Sequence, residues 1–279
     1  MTTLEATALT DPGMLRDVNE DSAYQQVYVP QDRDPMGLFI VCDGMGGHLG
    51  GEFASYWAVE AIKSEFAELF SMKDPRATIH LSEQDIEKAR TGVLPDFAKG
   101  KEIDIEALTQ TAIQKANNVV YEYAKHKPET AGNAGTTLTL AVIDGLNALI
   151  ANAGDSRTYL LRDHKVTLLT RDHSLVASLV SAGELLPDEI YTHPQRNVIY
   201  RFLGQKGLVQ PDLYYETLQP GDYLLLCSDG LWEMIRSGET IAQLIENASS
   251  LDNACLALVQ AANHEGGEDN IGVVLARVT

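Results

Sequence analysis

Cysteine is scarce in this 279-residue chain: Cys42, Cys227 and Cys255 are the whole complement. The count is odd, no CxxC or zinc-like spacing joins them, and two lie inside apolar runs, which excludes a disulfide framework and leaves them as reduced core residues. No apolar run approaches the length needed to cross a bilayer. The start, Met1-Thr2-Thr3-Leu4-Glu5, has neither the basic region nor the apolar segment of a secretion signal, so the expected location is the cytoplasm. Positive charge is also in short supply, 21 basic residues against 40 acidic ones for a formal charge of −19. Such an excess repels phosphate backbones and anionic lipid, so neither nucleic acid nor a membrane is expected as a partner. Repeats, low-complexity tracts and a linker between halves are all absent. With 44% hydrophobic residues the chain can bury a substantial core, and a single domain over 1–279 is expected.

Against this background one pattern occurs twice. Leu38-Phe39-Ile40-Val41-Cys42 and Leu224-Leu225-Leu226-Cys227-Ser228 are strand-like apolar runs, and each stops on Asp-Gly, at Asp43-Gly44 and Asp229-Gly230. Runs of this composition are buried on both faces, so the carboxylate at each end stands at the rim of the core. Most of the acidic excess serves solubility, but an acid in that position is costly unless a cation meets it.

The remaining pattern places these runs in a layered α+β fold. Segments 4–9, 23–29 and 37–42 read as strands. The Gly-rich stretch Gly44 to Gly51 opens a helix to about Phe70 that carries Phe53, Trp57, Ala58, Ala61, Ile62 and Phe66 on one side. A second helix covers 104–126. Between them, 71–103 is charged and broken by Pro75, Gly92 and Pro95, and reads as an insertion with a short helix capped by Ser82. Gly135 to Ile143 forms a strand, Asp144-Gly145 a hairpin turn, and Asn147 to Ala153 the returning strand. Strands at 156–161, 166–169, 213–217, 222–227 and 271–278 and helices at 230–236, 239–246 and 251–264 complete the pattern. Hairpin-linked strands with helices gathered in a few places predict antiparallel sheets covered by helices, not a wound parallel sheet.

Two further acidic sites lie near strand ends, Glu20-Asp21 and Glu268-Asp269. Four such sites converging on one edge of a β core would repel one another and demand a metal, and an all-oxygen set selects Mg²⁺ or Mn²⁺ rather than zinc. Taken singly, each Asp-Gly is more often an ordinary turn, and only the combination is specific. A nucleotide-binding reading of the glycines fails: the dinucleotide fingerprint needs Gly or Ala at position 49, which is Leu49, and no Lys-Ser/Thr follows for a phosphate loop.

Arg16 with Asn19-Glu20-Asp21, then Asp43-Gly44-Met45-Gly46-Gly47-His48, Gly135-Thr136-Thr137, Gly154-Asp155-Ser156-Arg157, Cys227-Ser228-Asp229-Gly230 and Glu268-Asp269-Asn270 stand in the order seen in metal-dependent Ser/Thr protein phosphatases. Over nearly its whole length the chain resembles a bacterial-type PP2C (PPM) phosphatase. The resemblance implies a β-sandwich of two antiparallel sheets flanked by helices. It implies that Asp43 bridges two ions, Mn²⁺ or Mg²⁺, with the Gly44 carbonyl contributing, that Asp229 and Asp269 complete one shell, and that Glu20 serves the other. Asp21 would hold metal-bound water and Arg16 would clamp phosphate. Two such ions make a water acidic enough to supply hydroxide near neutral pH for in-line attack on phosphorus.

The chain departs from that family pattern in two places. Met45 stands where many relatives carry a histidine after Asp-Gly, which leaves His48 or metal-bound water as the source of the leaving-group proton. Asn133 or Gly132 stands where relatives carry an aspartate that serves a third ion, so that ion is expected to be weak or absent. Asp155 and Arg157 are expected to fix turns, His173 and His193 to be structural, and 174–203 to form a flap on which Arg196 and Arg201 attract phosphoprotein. A monomer acting on phosphorylated proteins, opposing a Ser/Thr kinase and its substrates, is the implied function. A two-metal phosphodiesterase and a metal-binding pseudophosphatase are the alternatives.

Overall fold

The computed structural model describes residues 2–29, 34–46, 50–70 and 103–279. The insertion expected over 71–103, with its helix after Ser82, falls almost wholly outside the described residues, and so does His48.

Two antiparallel sheets form the centre. The first contains β1 (Leu4–Asp11), β11 (Ile271–Val278), β10 (Tyr223–Cys227), β7 (Arg157–Arg162) and β8 (Lys165–Leu168), in that order. The second contains β2 (Asp21–Tyr28), β3 (Met36–Met45), β5 (Leu138–Asp144), β6 (Asn147–Ala153) and β9 (Asp212–Thr217), with the short β4 (Gly135–Thr136) paired to the end of β3. Strand alternation sorts the apolar residues into layers. On β3, Phe39 and Val41 meet Leu224 and Leu226 of β10 and Val274 and Ala276 of β11 between the sheets. Leu38, Ile40 and Cys42 point the other way, onto α1 (Gly50–Phe70) and α2 (Ile105–His126). Leu225 and Cys227 of β10 and Val273 and Leu275 of β11 pack under α6 (Gly238–Glu246) and α7 (Leu251–His264). The result is helix, sheet, sheet, helix, with mainly apolar layer interfaces, crossed between the sheets by a buried Thr139–Thr158 hydroxyl pair at 2.6 Å, and all three cysteines are buried and free.

Helix ends follow their sequence signals. Asp104 caps α2 by accepting from Ala107 N–H, and Ser237 and Ser250 do the same for α6 and α7. The 174–203 segment holds α4 (Leu175–Ala182), capped by Ser174 and closed by Gly183 at φ +74°, then a 3₁₀ turn (Pro187–Tyr191). Its base is tied down by Leu203, which exchanges backbone hydrogen bonds with Thr136 at 2.8 and 3.0 Å. Two short helices, α3 (Pro128–Ala131) and α5 (Asp229–Trp232), precede β4 and follow β10.

Three details differ from the sequence reading. Phe53 and Trp57 are not on the buried side of α1 but 36% and 44% exposed. The i, i+4 line that meets β3 is Ala54, Ala58, Ile62 and Phe66, and Phe53 instead packs on Tyr123 of α2 with ring centroids 5.4 Å apart. The strand expected from Gly135 to Ile143 is broken at Thr137 into β4 and β5. Finally, β3 does not stop at Asp43 but runs through Gly44 to Met45, because β4 takes over as its partner, Gly44 opposite Thr136.

Gly44 is therefore not a turn glycine, and the same holds for Gly230 inside α5. A Cβ at Gly44 would fall on the Gly51 carbonyl oxygen and within 2.5 Å of the Glu20 carbonyl oxygen. One at Gly230 would fall on the Asn270 carbonyl oxygen. Each glycine lets a backbone segment bearing another acid pack against its aspartate. Gly44→Ala is expected to lower stability by about 1–3 kcal/mol, as overpacking does. A urea melt of the two proteins measures it, and an unchanged midpoint would contradict the close approach.

Candidate active site

The acids gather at one end of the sandwich because each lies at or beside a strand end that reaches it. Asp21 opens β2 directly opposite Asp43 on β3. The Asp43 backbone is held on both sides: its N–H donates to Thr137 Oγ1 at 2.9 Å, and its carbonyl accepts from Thr137 N at 2.9 Å and Thr136 Oγ1 at 2.8 Å. Glu20 is fixed through its own backbone, its carbonyl accepting from Gly44 N at 3.1 Å and its N–H donating to Asn270 Oδ1 at 2.8 Å. Asn270 Nδ2 also donates to the Pro12 and Val18 carbonyls, each at 2.9 Å, so one amide fastens the loop bearing Arg16 to the start of β11. Ser228, just before Asp229, donates from Oγ to Asp21 Oδ2 at 2.6 Å and accepts from Gly272 N at 2.8 Å.

Repulsion and burial act together on these groups. Burial, followed by Asp229, Asp21, Asp155 and Asp269, holds the Asp43 carboxyl well above the usual range. Burial does the same to Asp229, with Asp155 and Asp269 the strongest neighbours. Burial pushes Asp21 up to about 7, against the pull of the Ser228 hydroxyl and with the help of Asp269 and Glu20. Burial also raises Glu20, more than Arg16 lowers it. Two carboxylate oxygens, Asp21 Oδ1 and Asp229 Oδ1, are buried with no hydrogen-bond partner. A buried acceptor without a donor is costly, and divalent cations among oxygen donors would satisfy it. Asp43, Asp229, Asp269, Glu20 and the Gly44 carbonyl fit such ions in kind. Among the described residues no three acidic, histidine or cysteine side chains stand together at ligand spacing, so the acids share one region without meeting at one point.

Arg16 does not stand free for phosphate. Its Nη2 donates to Asp269 Oδ2 at 2.6 Å, with both side chains part-exposed, and Asp269 Oδ1 accepts from Asn270 N at 2.8 Å. Arg201 is likewise engaged, paired with Asp212 at the flap base, while Arg196 lies 3.7 Å from Glu233 and 4.0 Å from Glu268. His173 is buried, its Nδ1 accepting from Gly154 N at 3.1 Å, and His193 Nδ1 accepts from Gln195 N at 3.2 Å, so both imidazoles hold local backbone. Asn133 is exposed in the turn ahead of β4.

The family model described as Protein phosphatase 2C matches residues 17–260. The chain belongs to that family. Across the protein phosphatase 2C relatives, it is 37% identical to Protein phosphatase PhpP of Streptococcus pneumoniae over 273 residues, 98% of this chain and 96% of PhpP. It is 34% identical to the Serine/threonine phosphatase stp of Listeria monocytogenes, over 95% of this chain and 92% of stp. Among solved structures it superposes on the S. agalactiae serine/threonine phosphatase with a TM-score of 0.79 at 33% identity, covering 99% of each chain. The catalytic domain of the serine/threonine protein phosphatase PstP, in complex with two manganese ions, gives a TM-score of 0.76 at 30% identity and covers all of both chains.

Two residues of this protein phosphatase 2C site escaped the sequence reading. Ser228 was visible beside Asp229, but its bond crosses 207 positions to Asp21. Asp155, read as a turn residue, is a member of the acid group, pushed up to about 7 by burial and Asp172. Gly154 at φ +123° is the signal, since it turns the chain at the end of β6 and delivers Asp155 to the cluster.

The raised carboxyls set a pH dependence. Asp21 goes from 3.8 to about 7 on folding, so the folded state binds more protons between those values. Its contribution to stability is full below the lower value and is lost as pH rises through the higher one. A cation held by these acids would take the place of the lost protons. The rise in melting temperature on adding Mn²⁺ is therefore expected to be larger at about pH 8 than at about pH 5. Equal rises at both pH values in thermal melts would contradict a cation site at these acids.

Proposed function

We propose that this protein phosphatase 2C member hydrolyses phosphoserine and phosphothreonine in proteins, as one catalytic domain over 1–279, and opposes a bacterial Ser/Thr kinase. The reaction class, Ser/Thr phosphatase, is that of its full-length relatives. The observation that carries the mechanism is the pairing of Asp43 with Asp21 in register, beside Asp229 and Asp269, with buried carboxylate oxygens that lack a donor.

Asp43, Asp229, Asp269, Glu20 and the Gly44 carbonyl are the proposed ligands of two ions, Mn²⁺ or Mg²⁺, since hard oxygen donors fit either. When bound, the ions make water nucleophilic near neutral pH and offset charge on phosphoryl oxygens. Asp43, whose backbone Thr136 and Thr137 clamp, would serve both ions. Asp21, steadied by Ser228, is the acceptor that orients water at the site. Arg16 leaves Asp269 and presents its planar fork to two phosphate oxygens. The third ion is weak or absent because Asn133 offers an amide where a carboxylate would bind more strongly. His48 is the proposed side-chain proton source for the leaving oxygen, alongside water at the site.

In a p-nitrophenyl phosphate assay with Mn²⁺, Asp43→Asn is expected to remove activity by about 10³-fold or more, and Arg16→Ala to lower kcat/KM about a hundredfold. Mn²⁺ titration by calorimetry reads the ligands separately: Asp43→Asn weakens binding, whereas Arg16→Ala does not. Wild-type activity retained in Asp43→Asn would contradict the assignment.

A further inference from the structure

A cavity of about 310 Å³ lies beneath the flap. Val176, Ala177 and Val180 of α4 and Ile190 of the 3₁₀ turn line it on the flap side, and Leu168 and Trp232 line it on the sandwich side. One end reaches Asp155, Glu233 and Arg196. Trp232 stands in α5, which Asp229 opens; its indole Nε1 donates to the Asp155 carbonyl at 3.0 Å, and Glu233 N donates to the Asp229 carbonyl at 2.9 Å, so that end adjoins the acid cluster.

Most of the polar groups in its wall are already engaged. Arg157 uses Nε at 3.0 Å and Nη2 at 2.7 Å on Asp172 and Nη1 at 3.2 Å on Tyr159, and its guanidinium lies 3.5 Å from the Trp232 ring centre. Thr170 Oγ1 accepts from Thr158 N at 3.1 Å, Ser174 Oγ accepts from Ala177 N at 3.3 Å, and Arg171 Nη2 donates to Ser181 Oγ at 2.9 Å. What these walls offer a guest is apolar surface. The volume is at the low end of the roughly 300–1,000 Å³ of small-molecule sites, which suits one large side chain better than a cofactor.

We propose that this cavity is a specificity pocket that receives the apolar side chain of a residue near the phosphorylated serine or threonine of a substrate protein. The inference rests on the phosphatase reading above. The occupant follows from the cavity's continuity with the acid cluster: a peptide whose phosphate lies at the acids has its neighbouring residues within reach of the flap. Asp155 and Glu233 at the inner end exclude an acidic side chain there by repulsion, since Arg196 beside them already faces Glu233 and Glu268.

The test is a set of phosphothreonine peptides in which leucine is moved through each flanking position of a glycine-serine background, assayed with Mn²⁺ beside p-nitrophenyl phosphate. Leucine at one position is expected to raise kcat/KM about tenfold or more over glycine, and glutamate at that position to give no gain. Ala177→Trp, which fills the cavity, is expected to bring the leucine-to-glycine ratio near one. Leu168→Glu, at an exposed wall position, does the same by charge and stands in if the first variant fails to fold. No position exceeding about twofold in the wild type, or a ratio that survives a folded, active variant, overturns the pocket. Failure of the wild type to hydrolyse p-nitrophenyl phosphate at all would instead overturn the phosphatase reading.

Discussion

The site depends on backbone segments approaching more closely than any side chain allows. At Gly44 the β3 backbone lies against the carbonyls of Gly51 and Glu20, and at Gly230 the start of α5 lies against the carbonyl of Asn270. These two approaches bring the Glu20-Asp21 and Asp269-Asn270 segments up to Asp43 and Asp229. The price is a group of like charges at the rim of an apolar core, where burial and mutual repulsion raise Asp21, Asp43 and Asp229 together. Hydrogen bonds from Ser228, Thr136, Thr137 and Asn270 fix the backbone and one carboxylate oxygen, but leave Asp21 Oδ1 and Asp229 Oδ1 unanswered. The fold therefore builds a place whose chemistry is complete only with cations.

Much of this was legible in the sequence because the layers obey simple periodicity. The bounds of α7 and β11 follow directly from an amphipathic run capped by Ser250 and an apolar run after Asn270. The convergence of four acidic sites was inferable from their common position near strand ends. What escaped depended on partners far away in the chain. β3 continues past Asp43 only because β4, more than 90 positions later in its hydrogen bond from Thr136, arrives to pair with it. Phe53 and Trp57 are apolar enough for the core, but α2 and β3 select a different line of α1. Arg201 reads as a flap charge that attracts phosphoprotein until Asp212 is folded beside it, and Ser228 has no visible role until Asp21 lies against it.

The flap links the chemistry to the choice of substrate. Its base is pinned by Leu203 to Thr136, whose hydroxyl also holds the Asp43 carbonyl, so the flap and the strand that carries Asp43 share one anchor. Between the flap and the sandwich, Arg157, Asp172 and Trp232 form a closed polar set that leaves apolar wall for a guest. The acid cluster and the proposed pocket meet at Asp155.

The central claim is that Asp43 serves two cations at once while Asp229 serves one. Anomalous scattering from crystals grown with Mn²⁺ tests it most directly. Two peaks in the acid cluster, with Asp43 touching both and Asp229 touching one, is the predicted result. Peaks that do not share Asp43, or manganese bound only outside the cluster, would contradict the account.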